Sequence, residues 1–282
     1  SGPEALEMTR LFALAAVSLL TVFTAIVLTA CPTAAVRFQP DLARADGLPD
    51  DPAALIALAD AEAAKPDAGA QHLDRSLAAL EKAATLPDAD LFSVRWRASR
   101  ACGLLVQELS ATDQRLSYAT QGSEHAKAAI GLHADRVEGH YYLGINLGRI
   151  AEANSSMEMA AQILEVAKKA AELDAAFDEA GPLRFLGKLY ISAPPWPTSI
   201  GSVEKAIEAL EKAVATASHP LNHLFLGQAY YQDEEYEKAR TQLEQAVTLV
   251  DSRGLDARWK TEAEDYLDRL GNPSGHDDGP SF

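Results

Sequence analysis

A pattern of small residues that returns along the chain most constrains its fold. Leu-Gly pairs stand at positions 143–144, 186–187 and 226–227. Between and after them, small and apolar residues recur three and four positions apart, as in Ala239, Leu243 and Ala246. Residues at this spacing share one face of an α-helix, so the pattern predicts antiparallel helix pairs that approach closely at their small side chains. The last small residues of successive runs are Ala83, Ala129, Ala170, Ala213 and Ala246.

Residues 220–250 carry the clearest unit. Gly227 and Ala239 fall where two antiparallel helices would face each other, and Ala246 would let the following helix lie close. This unit resembles the tetratricopeptide repeat (TPR). The resemblance implies an all-α solenoid of about five irregular TPR-like helix pairs, and an amphipathic stretch over 255–270 predicts a C-terminal capping helix. An ordinary helical bundle is the alternative. The expected repeat-packing residues are Gly144, Gly187, Gly227, Ala239 and Ala246.

The first thirty residues are predicted to be a targeting segment outside this domain. Residues 11–30 carry no charge and lead into Leu28-Thr29-Ala30-Cys31, which resembles the lipobox of bacterial lipoproteins. That resemblance implies a signal peptide over 1–30, which includes an extension upstream of Met8, and lipidation of Cys31. An uncleaved membrane anchor is the alternative, because about 20 apolar residues just span a bilayer of roughly 30 Å. We expect a flexible tether over 31–51, a repeat domain over 52–270 and a disordered tail over 271–282.

Charge and cysteine content exclude several functions. The chain has 25 Lys+Arg against 41 Asp+Glu, a formal net charge of −16, and no local basic stripe, which disfavours nucleic-acid binding. Two cysteines form no disulfide scaffold. With Cys31 lipidated, Cys102 lies in a helical stretch of small residues and is predicted to be a buried thiol.

Catalytic motifs are missing from the sequence. It contains no Gly-rich phosphate loop, no Gly-x-Ser-x-Gly, no His-Glu-x-x-His and no Cys-x-x-Cys. His219 and His223 approach the spacing of metal ligands, but Pro220 and a predicted helix boundary separate them. The sequence therefore predicts a protein without catalytic activity, metal site or cofactor.

Residues 138–250 carry a more specific resemblance, to the T-component family of tripartite ATP-independent periplasmic (TRAP) transporters. The stretches that carry it are 140–144, 146–149, 181–190, 195–201, 204–206 and 222–226. The family resemblance implies a lipid-anchored protein of the bacterial periplasm, on the inner or outer membrane, that assists a periplasmic substrate-binding protein or a transporter subunit in solute uptake. It also implies a homo-oligomer, since a trimer with an internal pore is described in that family. The alternative is a TPR lipoprotein that scaffolds assembly of an envelope or outer-membrane complex.

The TPR resemblance implies that the first helix of each pair lines a groove. Counting from the Leu-Gly pairs, with Arg95 added by the alignment of the upstream repeat, places nine residues there as a ligand- or partner-binding set: Arg95, Tyr141, Ile145, Arg149, Arg184, Lys188, Leu224, Gln228 and Tyr231. Cations in this set predict a site for a carboxylate or an acidic peptide. The alternative is that Arg184 and Lys188 only pair with Glu side chains of neighbouring helices.

An insertion loop follows the helix that ends near Tyr190. Prolines at 194, 195 and 197 cannot continue that helix, so they force an extended excursion that Gly201 closes. Within this loop, formed by Pro195, Trp196, Pro197 and Gly201, the indole has two interpretations. Trp196 either folds back on the array as an apolar plug or stands exposed as an anchor at a subunit interface.

Overall fold

The computed structural model describes residues 47–65, 69–154, 156 and 158–271. The predicted signal peptide, the lipidation site Cys31, most of the tether and the tail after Gly271 lie outside the described residues.

Every regular element in this described part of the chain is a helix, which confirms the all-α prediction. Ten helices form five consecutive pairs, and an eleventh closes the array as the predicted cap. Their bounds are α1 Pro52–Ala63 and α2 Ala70–Ala83, α3 Leu91–Glu108 and α4 Thr112–Leu132, α5 Val137–Asn154 and α6 Ala160–Leu173, α7 Phe177–Ser192 and α8 Val203–Thr216, α9 Pro220–Gln232 and α10 Tyr236–Arg253, and the single α11 Ala257–Gly271.

Local sequence signals start several of these helices. The Asp51 carboxylate accepts a hydrogen bond from the Ala54 amide at 2.7 Å, and the Ser202 hydroxyl accepts one from the Lys205 amide at 3.3 Å. Both side chains satisfy amide groups that have no partner inside the helix. Pro220 stands at the beginning of α9, where its missing N–H leaves no hydrogen bond unmade.

The helices form two layers with different spacing. Each first helix contacts the first helix of the next pair, from α1 through α3, α5, α7 and α9 to α11. Among the described residues, the second helices of successive pairs make no such contacts with one another. Because the first helices lie closer together than the second helices, the layer of first helices forms the inner face of the array and the second helices form the outer layer.

Small residues set the distance between the layers. A methyl group added to Gly187 would lie 2.3 Å from Cγ of Leu210, and one added to Gly227 would lie 2.7 Å from Cγ of Leu243 and 3.3 Å from the Ala239 carbonyl oxygen. A side chain at either glycine would therefore push α7 away from α8, or α9 away from α10.

The capping helix α11 covers the last pair. Its Ala263 is fully buried in one apolar cluster with Leu224, Leu243 and Ala246, while Trp259 packs against the cluster's edge. One face of α11 is thus buried, as a terminal element of a repeat array requires.

Two further findings concern single elements. Cys102 is fully buried, as predicted. None of the helices in the described part of the chain combines the length and apolarity needed to cross a membrane.

Candidate functional site

The nine predicted groove residues all lie on first helices. Five of them are half-buried: Arg95, Ile145, Arg149, Lys188 and Tyr231. Four are buried: Tyr141, Arg184, Leu224 and Gln228. The inner face is therefore a packed row of side chains, of which the half-buried members remain within reach of a ligand.

Arg184 is 7% exposed, and its guanidinium is held by groups of the protein. One terminal nitrogen donates to the Asp178 carboxylate at 3.1 Å, and the other donates to the Asn222 side-chain oxygen at 3.0 Å and the Glu179 carbonyl at 3.1 Å. Asn222 is fully buried and also donates to the Ala217 carbonyl at 2.8 Å. Arg184 thus joins the start of α7 to the start of α9 through Asp178 of its own helix and Asn222 of α9, and not through a Glu side chain of a neighbouring helix.

These contacts hold an unusual turn within the first residues of α7. Asp178, Glu179 and Ala180 have φ values of 52°, 51° and 66°, which is the left-handed region that residues with a Cβ rarely adopt. The Tyr141 hydroxyl donates to the Asp178 carboxylate at 2.8 Å. Burial raises the pKa of Tyr141 well above its usual value, so the phenol stays protonated and remains a donor to that carboxylate.

Lys188 has a neutral partner. Its ammonium donates to the Gln228 side-chain oxygen at 3.1 Å, and the Gln228 amide donates in turn to Glu262 at 2.7 Å, so the contact links α7, α9 and α11. The ammonium also lies 4.8 Å from the centroid of the Phe225 ring. Burial lowers the pKa of Lys188 from its usual value, because the charged form loses solvation and its direct hydrogen-bond acceptor carries no charge.

Two arginines share one carboxylate beside Lys188. Glu152 accepts one hydrogen bond from Arg115 at 3.2 Å and one from Arg149 at 3.2 Å. The charges of Glu262, Arg149 and Glu152 all act on the Lys188 ammonium. The Lys188 ammonium therefore shares this part of the inner face with Arg149 and with two carboxylates, and Arg115 reaches Glu152 from the outer helix α4.

Arg95 lies against a neutral histidine. A terminal guanidinium nitrogen is 3.2 Å from Nδ1 of His125, so the neutral imidazole accepts at that nitrogen. Burial, and then the neighbouring Arg95 charge, lower the pKa of His125 to about 3. At neutral pH the imidazole is therefore uncharged, and it does not neutralise the charge of the Arg95 guanidinium.

The prediction from sequence missed a second row of residues on the same face. One aromatic side chain from each of four consecutive first helices contacts a neighbouring first helix. We call this set the aromatic ladder: Trp96, Tyr142, Phe185 and Phe225.

The rings of the aromatic ladder contact another ring, a glycine or a cation. Trp96 stacks on Tyr142 with ring centroids 5.8 Å apart and planes at 7°, and Arg97 lies 4.1 Å from the Trp96 centroid. Phe185 packs where Gly144 leaves room, since a methyl group there would lie 2.7 Å from its ring. The sequence holds a signal for this ladder, because an aromatic residue precedes Leu-Gly at 142, 185 and 225.

The insertion loop leaves the array after α7. Trp196 is 83% exposed, so the interpretation in which it folds back as a plug is wrong for this structure. Pro195 and Gly201 form an isolated bridge, and the Trp196–Pro197 peptide bond is cis. A methyl group on Gly201 would lie 2.1 Å from the Ala193 carbonyl oxygen, which explains why glycine closes the loop.

The chemistry available on this face is binding. Guanidinium and ammonium groups donate hydrogen bonds to anions, and aromatic rings offer apolar contact. Over the ranges that the structure describes, no group of three or more His, Cys, Asp and Glu side chains is arranged to hold a metal ion.

Comparison with known proteins supports the fold. No protein-family model matches the chain, and no curated protein matches it. The crystal structure of TTC0263, a thermophilic TPR protein of Thermus thermophilus, matches with a TM-score of 0.59 at 16% identity, over 77% of this chain and 99% of that one. The array is therefore TPR-like in fold.

Two other solved structures match with lower scores. MamA matches with a TM-score of 0.38 at 18% identity, over 72% of this chain and 93% of its own. Yeast Tom70 matches with a TM-score of 0.32 at 12% identity, over 83% of this chain and 67% of its own. Scores at this level carry no structural argument, so the TPR-like assignment depends on TTC0263.

Proposed function

We propose that this chain is a non-catalytic, lipid-anchored binding and adaptor protein of the bacterial periplasm. Its inner face receives an anionic group of a ligand or partner. The resemblance of residues 138–250 to T-components assigns it to a TRAP-type solute uptake system, with a periplasmic substrate-binding protein or transporter subunit as partner. The TPR-like fold supports a role in protein binding.

The observation that carries the proposal is the pair of half-buried cations Lys188 and Arg149 on the inner face. In a chain of net charge −16, the charges of these two cations act on each other, and the two carboxylates nearby are already engaged by groups of the protein. An anionic group that reaches this place gains contacts with partly desolvated cations, which bind more strongly than fully hydrated ones.

A binding measurement with matched variants tests this assignment. The partner is a periplasmic substrate-binding protein from the same organism, titrated calorimetrically against the mature protein. We expect the double substitution Lys188→Met and Arg149→Met to raise the dissociation constant at least tenfold, because it removes two cations and keeps their aliphatic stems. Lys212 pairs with Glu208 on the outer helix α8. Lys212→Met is therefore the control and should leave the affinity unchanged.

The anchor has its own test. Mass spectrometry of the mature N-terminus should find a diacylated Cys31, and Cys31→Ala should release the protein from the membrane fraction. An unmodified Cys31 within an intact N-terminal segment would exclude the lipoprotein assignment. Binding to an envelope assembly complex, with none to the substrate-binding protein, would favour the scaffold alternative.

A further inference from the structure

The insertion loop presents an apolar side chain that the inner face does not use. Among the large apolar side chains of the described residues, Trp196 is the most exposed, at 83%, followed by Tyr236 at 50%. Residues 195–198 are all exposed, so the indole stands on a run of solvent-facing backbone. Burial of an indole removes a large apolar surface from water and lowers the free energy, which is why Trp is enriched at the centres of protein interfaces.

The loop is also free of charge. Residues 191–203 contain no Asp, Glu, Lys or Arg, although 23% of the chain is charged. A surface that docks here needs no opposite charge, and it meets no like charge within the loop.

The backbone of the loop is held in place without a partner. The Gly201 amide donates to the Pro194 carbonyl at 2.9 Å, the Ser202 amide to the Tyr190 carbonyl at 3.1 Å, and the Thr198 amide to the Pro195 carbonyl at 3.0 Å. Because these bonds already order the loop, little conformational entropy remains to be lost when a partner buries Trp196.

A second aromatic group lies at the same edge of the array. The Gln232 side-chain amide donates to the Ile191 carbonyl at 3.4 Å, which ties the end of α9 to the end of α7, where the loop begins. Tyr231 and the exposed Tyr236 stand on either side of Gln232 in the sequence, and their ring centroids are 5.8 Å apart. Tyr231 and Tyr236 therefore lie near the end of α7 from which the loop begins.

Size and charge favour one kind of partner for this loop. A stable dimer uses about 20–30 residues on each side of its interface, whereas the exposed run 195–198 contains four, and two copies of charge −16 repel each other. A membrane surface attracts loops that carry Lys or Arg beside their aromatic residues, and residues 191–203 carry none. A small, uncharged and pre-ordered contact suits a transient complex with another protein.

We propose that Trp196 is the docking anchor for a folded protein partner that offers an apolar pocket in an uncharged patch. Trp196 fills the pocket, and Tyr236 lies against its rim.

Photocrosslinking in the native envelope tests the proposal. A benzophenone amino acid replaces Trp196, Tyr236 or Lys212 in the full chain, the last as an exposed control on the outer helix. We expect positions 196 and 236 to crosslink to the same protein within an uncharged apolar pocket, and position 212 not to. With that protein purified, Trp196→Ala should raise the dissociation constant at least tenfold, Trp196→Phe should raise it less, and the control Lys212→Met should not change it.

Every other outcome overturns the proposal. Adducts with lipid or with a second copy identify a different occupant, and the absence of any adduct at position 196 removes the docking site. A crosslinked protein whose affinity is the same for Trp196→Ala and the wild type shows proximity without anchoring. Loss of affinity in the Lys188 and Arg149 variant alone would leave the inner face as the binding site and overturn the loop assignment.

Discussion

Gly187 and Gly148 lie on neighbouring first helices but have different surroundings. A methyl group at Gly187 would lie 2.3 Å from Leu210, whereas one at Gly148 would have its nearest neighbour at 3.8 Å, on Phe185. The first distance forces side chains or helices to move, and the second is an ordinary van der Waals contact. At the scale of single residues, the difference separates a glycine required by packing from one that is not.

Gly187→Ala should therefore lower the free energy of unfolding by about 1–3 kcal/mol, since overpacking strains both helices. Gly148→Ala should leave it unchanged or raise it by up to about 1 kcal/mol, because alanine favours the helix. Urea unfolding followed by circular dichroism measures both. Equal effects of the two substitutions would show that Gly187 is not at a close helix crossing.

His125 should make stability depend on pH. Its pKa is about 3 in the folded protein and near its ordinary value of about 6.5 in the unfolded chain, so the unfolded state binds the proton first as the pH falls. The contribution is complete above pH 6.5 and is lost as the pH falls towards 3. From pH 7 to pH 4.5 we expect a loss of about 2–3 kcal/mol from this residue.

His125→Gln removes the titrating imidazole, so the free energy of unfolding measured in urea should depend less on pH. A residual slope will remain, because burial also lowers the pKa of His219 to about 4. Parallel pH profiles for the variant and the wild type would contradict a buried neutral His125.

At the scale of helices and turns, the left-handed turn over residues 178–180 depends on contacts distant in sequence. Asn222, at the start of α9, accepts from Arg184 and donates to the Glu179 carbonyl at 3.1 Å. The turn contains no glycine, so its conformation depends on these long-range hydrogen bonds.

Asn222→Ala should lower the free energy of unfolding by about 2–4 kcal/mol, because it leaves a buried guanidinium and buried carbonyls with fewer partners. Asn154, exposed at the end of α5, supplies the control, and Asn154→Ala should change stability by less than about 0.5 kcal/mol. Chemical denaturation measures both variants. A small effect at Asn222 would mean that the turn is held by other contacts.

The helix pairs could be predicted from sequence because their signal is local. Leu-Gly and the alanine runs mark helix crossings within a few residues, and the register placed all nine groove residues on first helices. Burial of Tyr141 and Arg184 could not be predicted, because it depends on how closely neighbouring first helices approach. The left-handed turn could not be predicted from sequence either, because Asn222 and Arg184, which hold it, lie outside residues 178–180. Three members of the aromatic ladder could be predicted, in contrast, because an aromatic residue precedes Leu-Gly at 142, 185 and 225.

At the scale of the whole molecule, an array of pairs needs a closed end. The capping helix α11 buries Ala263 fully against the last pair. Ala263→Asp places an unpaired carboxylate in that contact and should lower the free energy of unfolding by about 3 kcal/mol or more. Thr261→Asp adds the same residue at an exposed position of α11 and should change little. Thermal unfolding compares the two, and similar midpoints would contradict the capping role.

The central claim is that the inner face, formed by the first helices, is the binding face. Hydrogen–deuterium exchange of the full chain, with and without the substrate-binding protein, tests it most directly. The account predicts slower exchange on binding in α5, α7 and α9, around Arg149, Lys188 and Gln228, with unchanged exchange in the outer helices α6 and α8. Slower exchange confined to the outer helices, or none in the first helices, would contradict it.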